Sequence, residues 1–239
     1  MKLLNKKNNQ ISFTAEMEES LANAIRRYIN EILILAVDEV EISKNDSPLY
    51  DETIAHRMGL IPIKTEKNVN EKTTAEIKLK TKKEGSVYSG DLEGSVKIVY
   101  DKIPITLLNK GQELDIIAIV KGGKGREHSK FVPGLMFYRN AAEIKVDKDC
   151  PSEVAAICPK NVLEIKDGKV IVKNSSRCDL CDVCVEWCTK HKKDSIKIIT
   201  SKEIIITLES FGQLEEKEIF KKSIEILKRD LTDVSKKIK

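Results

Sequence analysis

Two stretches near the ends of the chain place apolar residues at helical spacing. Near the amino end these positions are Met17, Leu21, Ala24, Ile25, Tyr28 and Ile32. Near the carboxyl end they are Ile219, Phe220, Ile224, Leu227, Leu231 and Val234. Because residues three and four apart share one face of a helix, each stretch predicts an amphipathic helix. A stripe of this kind usually packs against the core of its own chain, so it does not by itself indicate a partner.

Alternating or densely apolar runs predict strands in the rest of the chain. One lies just before the first helix at residues 10–14, and another follows that helix at residues 32–42. The central region contributes TAEIKLKT, SVKIVY and ELDIIAIV, separated by the turn-like stretches KEGSVYSGDLEG and KGGKGREHSK. Near the end, KIITSKEIIITLES predicts two more strands before the closing helix.

The order of these elements predicts an α+β fold. The two amphipathic helices, each with an adjacent strand, lie near the two ends, whereas the middle is rich in strands. We therefore expect a discontinuous terminal domain made of residues 1–45 and 194–239. The inserted parts are a β-rich domain at residues 46–144 and a cysteine-containing module at residues 145–193.

Charge and hydropathy narrow the class of protein. The 42 Lys and Arg residues against 38 Asp and Glu residues give a formal net charge of +4, with both signs interspersed along the chain. No concentrated basic face therefore predicts strong, direct binding to nucleic acid. No segment approaches the roughly 20 apolar residues of a membrane helix, and the first residues lack the apolar run of a signal peptide. We expect a cytoplasmic protein.

All six cysteines fall between residues 150 and 188. In a reducing cytoplasm, such clustering is more typical of metal ligands than of disulfides. The bacterial ferredoxin spacing C-x2-C-x2-C-x3-C is reproduced by Cys178, Cys181, Cys184 and Cys188. In ferredoxins with two clusters, the fourth cysteine of each run precedes a proline and ligates the other cluster. Here Thr189 replaces that proline, whereas Cys158 does precede Pro159.

These spacings predict one iron–sulfur cluster held by Cys158, Cys178, Cys181 and Cys184. Counting back from Cys158 by the ferredoxin spacing reaches no further cysteine, so a second cluster is not expected, and Cys150 and Cys188 have no assigned role. A four-iron cluster, [4Fe-4S], is favoured, but three cysteines could also hold a [3Fe-4S] cluster. The competing interpretation is zinc, whose all-cysteine sites usually combine two C-x2-C pairs across a longer loop.

No nucleotide-binding or acid–base pattern accompanies the cysteines. The sequence GGKG at residues 122–125 lacks the continuation of a phosphate-binding loop. His128 and His191 each lack the second group that metal or acid–base chemistry requires. The residues alone therefore leave two functions open: an assembly protein without chemistry of its own, and a ferredoxin-like electron-transfer or redox-sensing protein.

Three segments resemble the alpha-like subunits of multisubunit RNA polymerases. They are residues 23–63, NAIRRYINEILILAVDEVEISKNDSPLYDETIAHRMGLIPI, residues 125–139, GREHSKFVPGLMFYR, and residues 209–231, ESFGQLEEKEIFKKSIEILKRDL. Many archaeal members carry a ferredoxin-like insertion between the last two segments. The resemblance implies an alpha-like dimerisation domain with an inserted β-rich domain and a ferredoxin-like module. It also implies a non-catalytic assembly subunit of DNA-directed RNA polymerase, and the aspartate triplet of the polymerase active site is indeed absent from the sequence.

The resemblance further implies the partners. In this family the terminal domain pairs with a smaller alpha-like partner, subunit L, and the pair is the platform for the large catalytic and small assembly subunits, with little direct contact to DNA. The implied contacts to subunit L are Leu21, Ile25, Tyr28, Ile32, Ile224, Leu227 and Leu231. The segment from Asp51 to Pro62, which contains His56, Arg57 and Gly59, matches the motif that family members place toward the second-largest subunit.

Overall fold

The structure, a computed structural model, describes residues 1–66 and 69–238. Its strands are β1 (Lys2–Lys7), β2 (Gln10–Glu16), β3 (Leu33–Asn45), β4 (Thr74–Thr81), β5 (Gly85–Tyr88), β6 (Glu93–Gly94), β7 (Pro104–Leu108), β8 (Leu114–Lys124), β9 (Gly134–Val146), β10 (Leu163–Lys166), β11 (Lys169–Val172) and β12 (Ile196–Ser210). Its α-helices are α1 (Glu19–Tyr28), α2 (Asp51–Gly59), α3 (Glu153–Ile157), α4 (Val183–Lys190) and α5 (Glu216–Ile238). Short 3-10 turns lie at residues 29–31, 89–91, 129–131 and 175–177. The predicted α+β class is confirmed.

The chain divides into two compact units. Unit 1 consists of Met1–Asn23 and Met136–Thr207, and unit 2 consists of Ala24–Leu135 together with the described residues from Leu208 onward. The predicted division into domains, with boundaries after residues 45, 144 and 193, stays a prediction.

Unit 1 combines a sheet with the cysteine module. The sheet has the strand order β1-β2-β12-β9, and β10 and β11 form a separate antiparallel hairpin. Between β9 and β12 the chain forms α3, this hairpin and α4, whose apolar residues build a small core. That core contains Val154, Leu163, Val170 and Ile196, together with three of the cysteines.

Unit 2 is built around a second sheet with the strand order β3-β8-β4-β6. Along β8 buried residues alternate with less buried ones, because successive side chains of a strand point to opposite faces. Ile54 and Met58 of α2 are fully buried and pack in one core with the buried side chains of β8. This packing fixes α2 and the loops that flank it on a rigid sheet.

Several strand predictions are confirmed and others are wrong. β2, β3, β4, β8 and the closing helix α5 lie where the patterns predict them. The run SVKIVY, residues 95–100, is not a strand: within it only Ile98 forms a bridge, to Ile63. Its backbone instead bonds across to residues 62–64, with Val99 N–H donating to Pro62 and Lys97 accepting from Lys64.

The predicted turns also contain strands. KEGSVYSGDLEG includes β5 and β6, and β8 continues through Gly122 and Gly123 into the predicted turn KGGKGREHSK. Gly123 fits there because a Cβ atom at this position would lie 2.6 Å from the Phe131 ring. Near the end, KIITSKEIIITLES forms most of one strand, β12, rather than two, since the polar pair Ser201 and Lys202 does not interrupt the backbone pairing.

Helix α1 is shorter than its apolar stripe. Met17 precedes its first residue, and Ile32 follows the 3-10 turn in an extended conformation. Within the described residues no helix is long and apolar enough to cross a membrane.

Candidate cluster site and partner surfaces

The cysteine loop of unit 1 has an unusual backbone. Cys178 ends the 3-10 turn at residues 175–177, and the chain then reaches α4 within five residues. Two residues of this connection adopt left-handed conformations, Leu180 with φ 59° and Asp182 with φ 55°. Turns that contain such residues direct successive N–H groups into a concavity, which is a common setting for anions and iron–sulfur clusters. The loop therefore has a backbone suited to a negatively charged group.

Four thiols lie near one another around this loop. Burial raises the pKa of the Cys178 thiol, and the nearby Cys181 and Cys158 thiols raise it further. Burial likewise raises the pKa of Cys184 to about 11, with smaller contributions from Cys158 and Cys178. Thiols that hinder one another's ionisation need a compensating cation before they can all become thiolates. The chemistry of this group of side chains thus favours a metal-containing partner.

Backbone N–H groups are aimed at these sulfur atoms. Val162 N–H donates to Cys158 Sγ at 3.4 Å. Backbone hydrogen bonds from Leu180 to Cys178 and from Val185 to Cys184 partly offset the rise in the pKa of those two thiols. Such bonds stabilise thiolates, and in iron–sulfur proteins they tune the reduction potential.

The two remaining cysteines lie elsewhere in the module. Cys150 and Cys188 are both buried, and Cys188 Sγ lies 3.7 Å from Ser195 Oγ. Burial raises the pKa of Cys150, which also interacts with Ser195 and Cys188. Of the four predicted ligands, Cys178 and Cys184 are buried, Cys158 is half-buried and Cys181 is exposed.

The described side chains form no ready-made site for a single metal ion. In the described parts of the chain, no three His, Cys, Asp or Glu side chains are arranged to hold one metal ion. A cubane presents its irons at separate corners, so its ligands do not converge on one point. Thiolate ligands and concave turns with exposed N–H groups are common at iron–sulfur clusters. Ligation by Cys158, Cys178, Cys181 and Cys184 stays a prediction.

The spacing argument missed one residue of this site. Arg139, on β9, donates from Nη1 to the Cys178 carbonyl and from Nη2 to the Ser176 carbonyl. It lies 39 residues before Cys178 in the sequence, so no local spacing connects the two. The patterns predict no strand at this position, and Arg139 appears there only as the last residue of the resembling segment at residues 125–139.

Helix α5 in unit 2 buries only the first part of its apolar stripe. Ile219, Phe220 and Leu227 are buried, whereas Leu231 is 60% exposed and Val234 is 53% exposed. Ile224, at the edge of the stripe, is 38% exposed. Because these positions share one helical face, the stripe continues past the end of the chain's own core and leaves an uncovered apolar face.

The predicted contacts on the first helix divide in a similar way. Leu21 is 46% exposed, but Ile25 and Ile32 are buried in the isolated chain. Tyr28 bonds to Asp230 of α5, and its pKa is raised by partial burial and by that carboxylate. Ile25, Ile32 and Leu227 therefore support the fold, while Leu21, Ile224 and Leu231 present surface to solvent.

Helix α2 presents the predicted polar pair. His56 is exposed, and Arg57 donates from Nη1 to the Ile105 carbonyl of β7 at 2.8 Å. Asp51 and Glu52 lie in the first turn and the two basic residues in the last turn, an order that complements the helix dipole. Two exposed residues that the motif did not single out flank the helix, Tyr50 at 82% and Leu60 at 54% exposure.

Comparison with known proteins connects this geometry to a family. A family model described as RNA polymerase Rpb3/RpoA insert domain matches residues 40–134. The DNA-directed RNA polymerase subunit Rpo3 of Archaeoglobus fulgidus is 34% identical, with 99% of this chain and 96% of that protein covered. Rpo3 of Thermococcus kodakarensis is 32% identical, with 95% and 93% covered. The subunit rpac1 of RNA polymerases I and III from Dictyostelium discoideum is 32% identical, with 88% and 73% covered.

Proposed function

Because this chain belongs to the archaeal Rpo3 family of DNA-directed RNA polymerase subunits, we propose that it pairs with subunit L through the uncovered apolar face of α5. The chain is a non-catalytic assembly subunit of the polymerase. The electron-transfer alternative is not favoured, since relatives that match nearly the whole chain are polymerase subunits. The proposed setting is the cytoplasm, with the other polymerase subunits as further partners.

The exposure of Leu231 and Val234 supports the pairing. Both lie on the apolar face of α5 that also carries Leu227, which is buried. Monomeric proteins rarely leave such a contiguous apolar surface bare. Covering one such side chain contributes about 1.5–3 kcal/mol. Ile224, which is also exposed on α5, extends the proposed interface, and Leu21 on α1 stays a predicted contact.

Co-purification with subunit L tests the pairing. The wild-type chain should form a one-to-one pair in mass measurements, and Leu231→Asp combined with Val234→Asp should weaken it at least about 100-fold. Since both side chains are largely exposed, the double variant should fold normally. Thr232→Asp, on the neighbouring exposed face, is the matched control and should pair normally. Normal pairing by the double variant would contradict the proposed interface.

The proposed cofactor is one [4Fe-4S] cluster held by Cys158, Cys178, Cys181 and Cys184. When bound, it would supply four metal–thiolate bonds joining the end of α3, the loop from Cys178 and the start of α4, and metal binding of this kind contributes directly to folding free energy. The support is the group of neighbouring thiols with N–H groups directed at them. A [3Fe-4S] cluster would leave one of the four cysteines free.

Iron and sulfide analysis of the anaerobically purified chain tests the cofactor. The four-iron form predicts about four irons and four sulfides per chain and an electron paramagnetic resonance (EPR) signal only after reduction. A signal in the oxidised state with about three irons would identify the three-iron form. Stoichiometric zinc without sulfide would contradict both.

The segment around α2 is proposed to face the second-largest subunit. Its exposed residues, Tyr50, His56 and Leu60, surround Arg57 on a helix that is anchored to the sheet of unit 2 by Ile54 and Met58. A rigidly mounted helix with exposed apolar and charged residues is a suitable docking element.

A further inference from the structure

One arginine connects the start of the cysteine loop to the sheet of unit 1. The Arg139 guanidinium donates to both the Ser176 and the Cys178 carbonyls. These carbonyls lie at the carboxyl end of the 3-10 turn at residues 175–177, where backbone C=O groups lack partners within the turn. The planar guanidinium presents parallel donors in a fixed geometry. The direction of the chain through Cys178 is therefore set by a side chain from outside the loop.

A second contact from the same strand supports this arrangement. Ala142, three residues farther along β9, packs in one buried group with Val162 and Cys178. Val162 in turn donates its N–H to Cys158 Sγ. The strand that carries Arg139 thus contacts both parts of the chain that bring cysteines to the site, the segment after Cys158 and the loop from Cys178.

We propose that Arg139 is a positioning residue of the cluster site, which it serves by holding the Cys178 backbone in the ligating geometry and by placing a positive charge beside the thiolates. This inference rests on the cluster proposed above. The charge matters because a cluster held by four thiolates is anionic, and a nearby cation favours its reduced, more negative form. Partners that orient the ligands of a metal site typically affect metal affinity about 10–100-fold.

Two substitutions separate the geometric effect from the effect of charge. Arg139→Lys keeps the positive charge but replaces the rigid fork with a single flexible ammonium group. Arg139→Gln removes both the charge and the fork. Arg177→Gln, at an exposed arginine of the same turn, is the matched control for loss of a positive charge close to Cys178.

The experiment uses the full chain, purified without oxygen and loaded with ferrous iron and sulfide. Iron per chain, the rate of bleaching in air and the reduction potential, followed by EPR, are measured for each variant. Arg139→Gln should bind iron about tenfold more weakly, bleach faster and have a more negative potential. Arg139→Lys should bleach faster with a potential close to that of the wild type, and Arg177→Gln should match the wild type in iron content and bleaching.

The outcomes distinguish the inference from the cluster itself. A wild-type chain that takes up no iron and sulfide contradicts the cluster and, with it, the inference. A loaded wild type together with an Arg139→Gln variant of unchanged iron content, bleaching and potential overturns the inference alone. A lower melting temperature with unchanged cluster properties also overturns it, since that result would assign Arg139 to the fold only. If Arg139→Gln does not fold, unchanged bleaching of Arg139→Lys overturns it.

Discussion

A single sulfur atom distinguishes the two ways to complete the set of cluster ligands. Cys158 neighbours Cys178 and Cys184, whereas the Cys188 thiol lies against Cys150 and Ser195. Cys158→Ser should therefore lose the cluster. Cys188→Ser should keep it, because the new hydroxyl can bond to Ser195 in the same place. Iron and sulfide analysis of the two variants is the measurement.

If Cys188→Ser loses the cluster and Cys158→Ser keeps it, the fourth ligand is Cys188 and not Cys158. A variant at Cys150, the other buried thiol of that pair, is the control. Cys150→Ser should behave like Cys188→Ser, since neither sulfur is assigned to the cluster.

At the residue scale the sequence predicts which side chains would hold the proposed cluster but not what orients them. The spacing of cysteines and one proline singles out four of six cysteines because ligand geometry requires short, regular intervals along a loop. Arg139 acts through backbone carbonyls 37 and 39 residues away in the sequence. A bond to backbone atoms leaves no residue pattern at the receiving end, so only the folded structure identifies it.

At the element scale, one carboxylate of β3 forms ion pairs with two neighbouring elements. Asp38 accepts from Lys130 at 2.7 Å and pairs with Lys121 at 3.1 Å. The Lys130 hydrogen bond is the main cause of a lowered Asp38 pKa, with Lys121 adding to it and burial opposing it. Because the pKa is lower in the folded chain, the stabilisation is present above the ordinary carboxylate range and is lost as the pH falls through the folded-state value.

Asp38→Asn should therefore lower the free energy of unfolding at pH 7 by up to about 1 kcal/mol, the range of exposed ion pairs. The difference from the wild type should shrink at pH values below about 4. Urea denaturation at both pH values measures it. Glu41→Gln, at an exposed glutamate of the same strand, is the control and should change stability little. An Asp38→Asn deficit that persists in acid would assign the effect to packing instead.

The elements themselves were predictable where burial alone sets the pattern. β8 alternates along its length and α5 keeps one apolar face, so both are evident from the sequence. Residues 95–100 also alternate, yet the backbone groups of Lys97 and Val99 bond to residues 62–64. The fold, and not the local pattern, determines these partners. Helix α2 was not predicted, because only two of its side chains, Ile54 and Met58, are fully buried and they form no recognisable apolar stripe. The stripe of α5 was evident, but the point where the chain's own core ends was not.

At the scale of the whole molecule, the two proposed functions belong to different units. The cysteines lie in unit 1, whereas the uncovered face of α5 lies in unit 2. Cys178→Ser should therefore bleach the chain and loosen the cysteine module, since a metal-organised module draws folding free energy from its metal, while the chain still pairs with subunit L. Absorbance and co-purification, measured on one preparation, test this. Complete loss of pairing would show that the cluster is required for the α5 surface.

Assembly beyond the pair depends on α2 in this scheme, and Arg57 is its most informative position. Its hydrogen bond to the Ile105 carbonyl holds α2 to β7, so Arg57→Ala should cost about 1.5–3 kcal/mol of stability, as for other hydrogen bonds to charged groups. In a staged reconstitution the variant should still pair with subunit L but take up the second-largest subunit more weakly. Lys110→Ala, at an exposed residue between β7 and β8, is the control and should assemble normally. The His56→Ala variant separates docking from folding. Because His56 is exposed, its loss should weaken only the second stage, the uptake of the second-largest subunit.

If Arg57→Ala already fails to pair with subunit L while His56→Ala assembles fully, Arg57 is a residue of the fold and α2 is not the docking element.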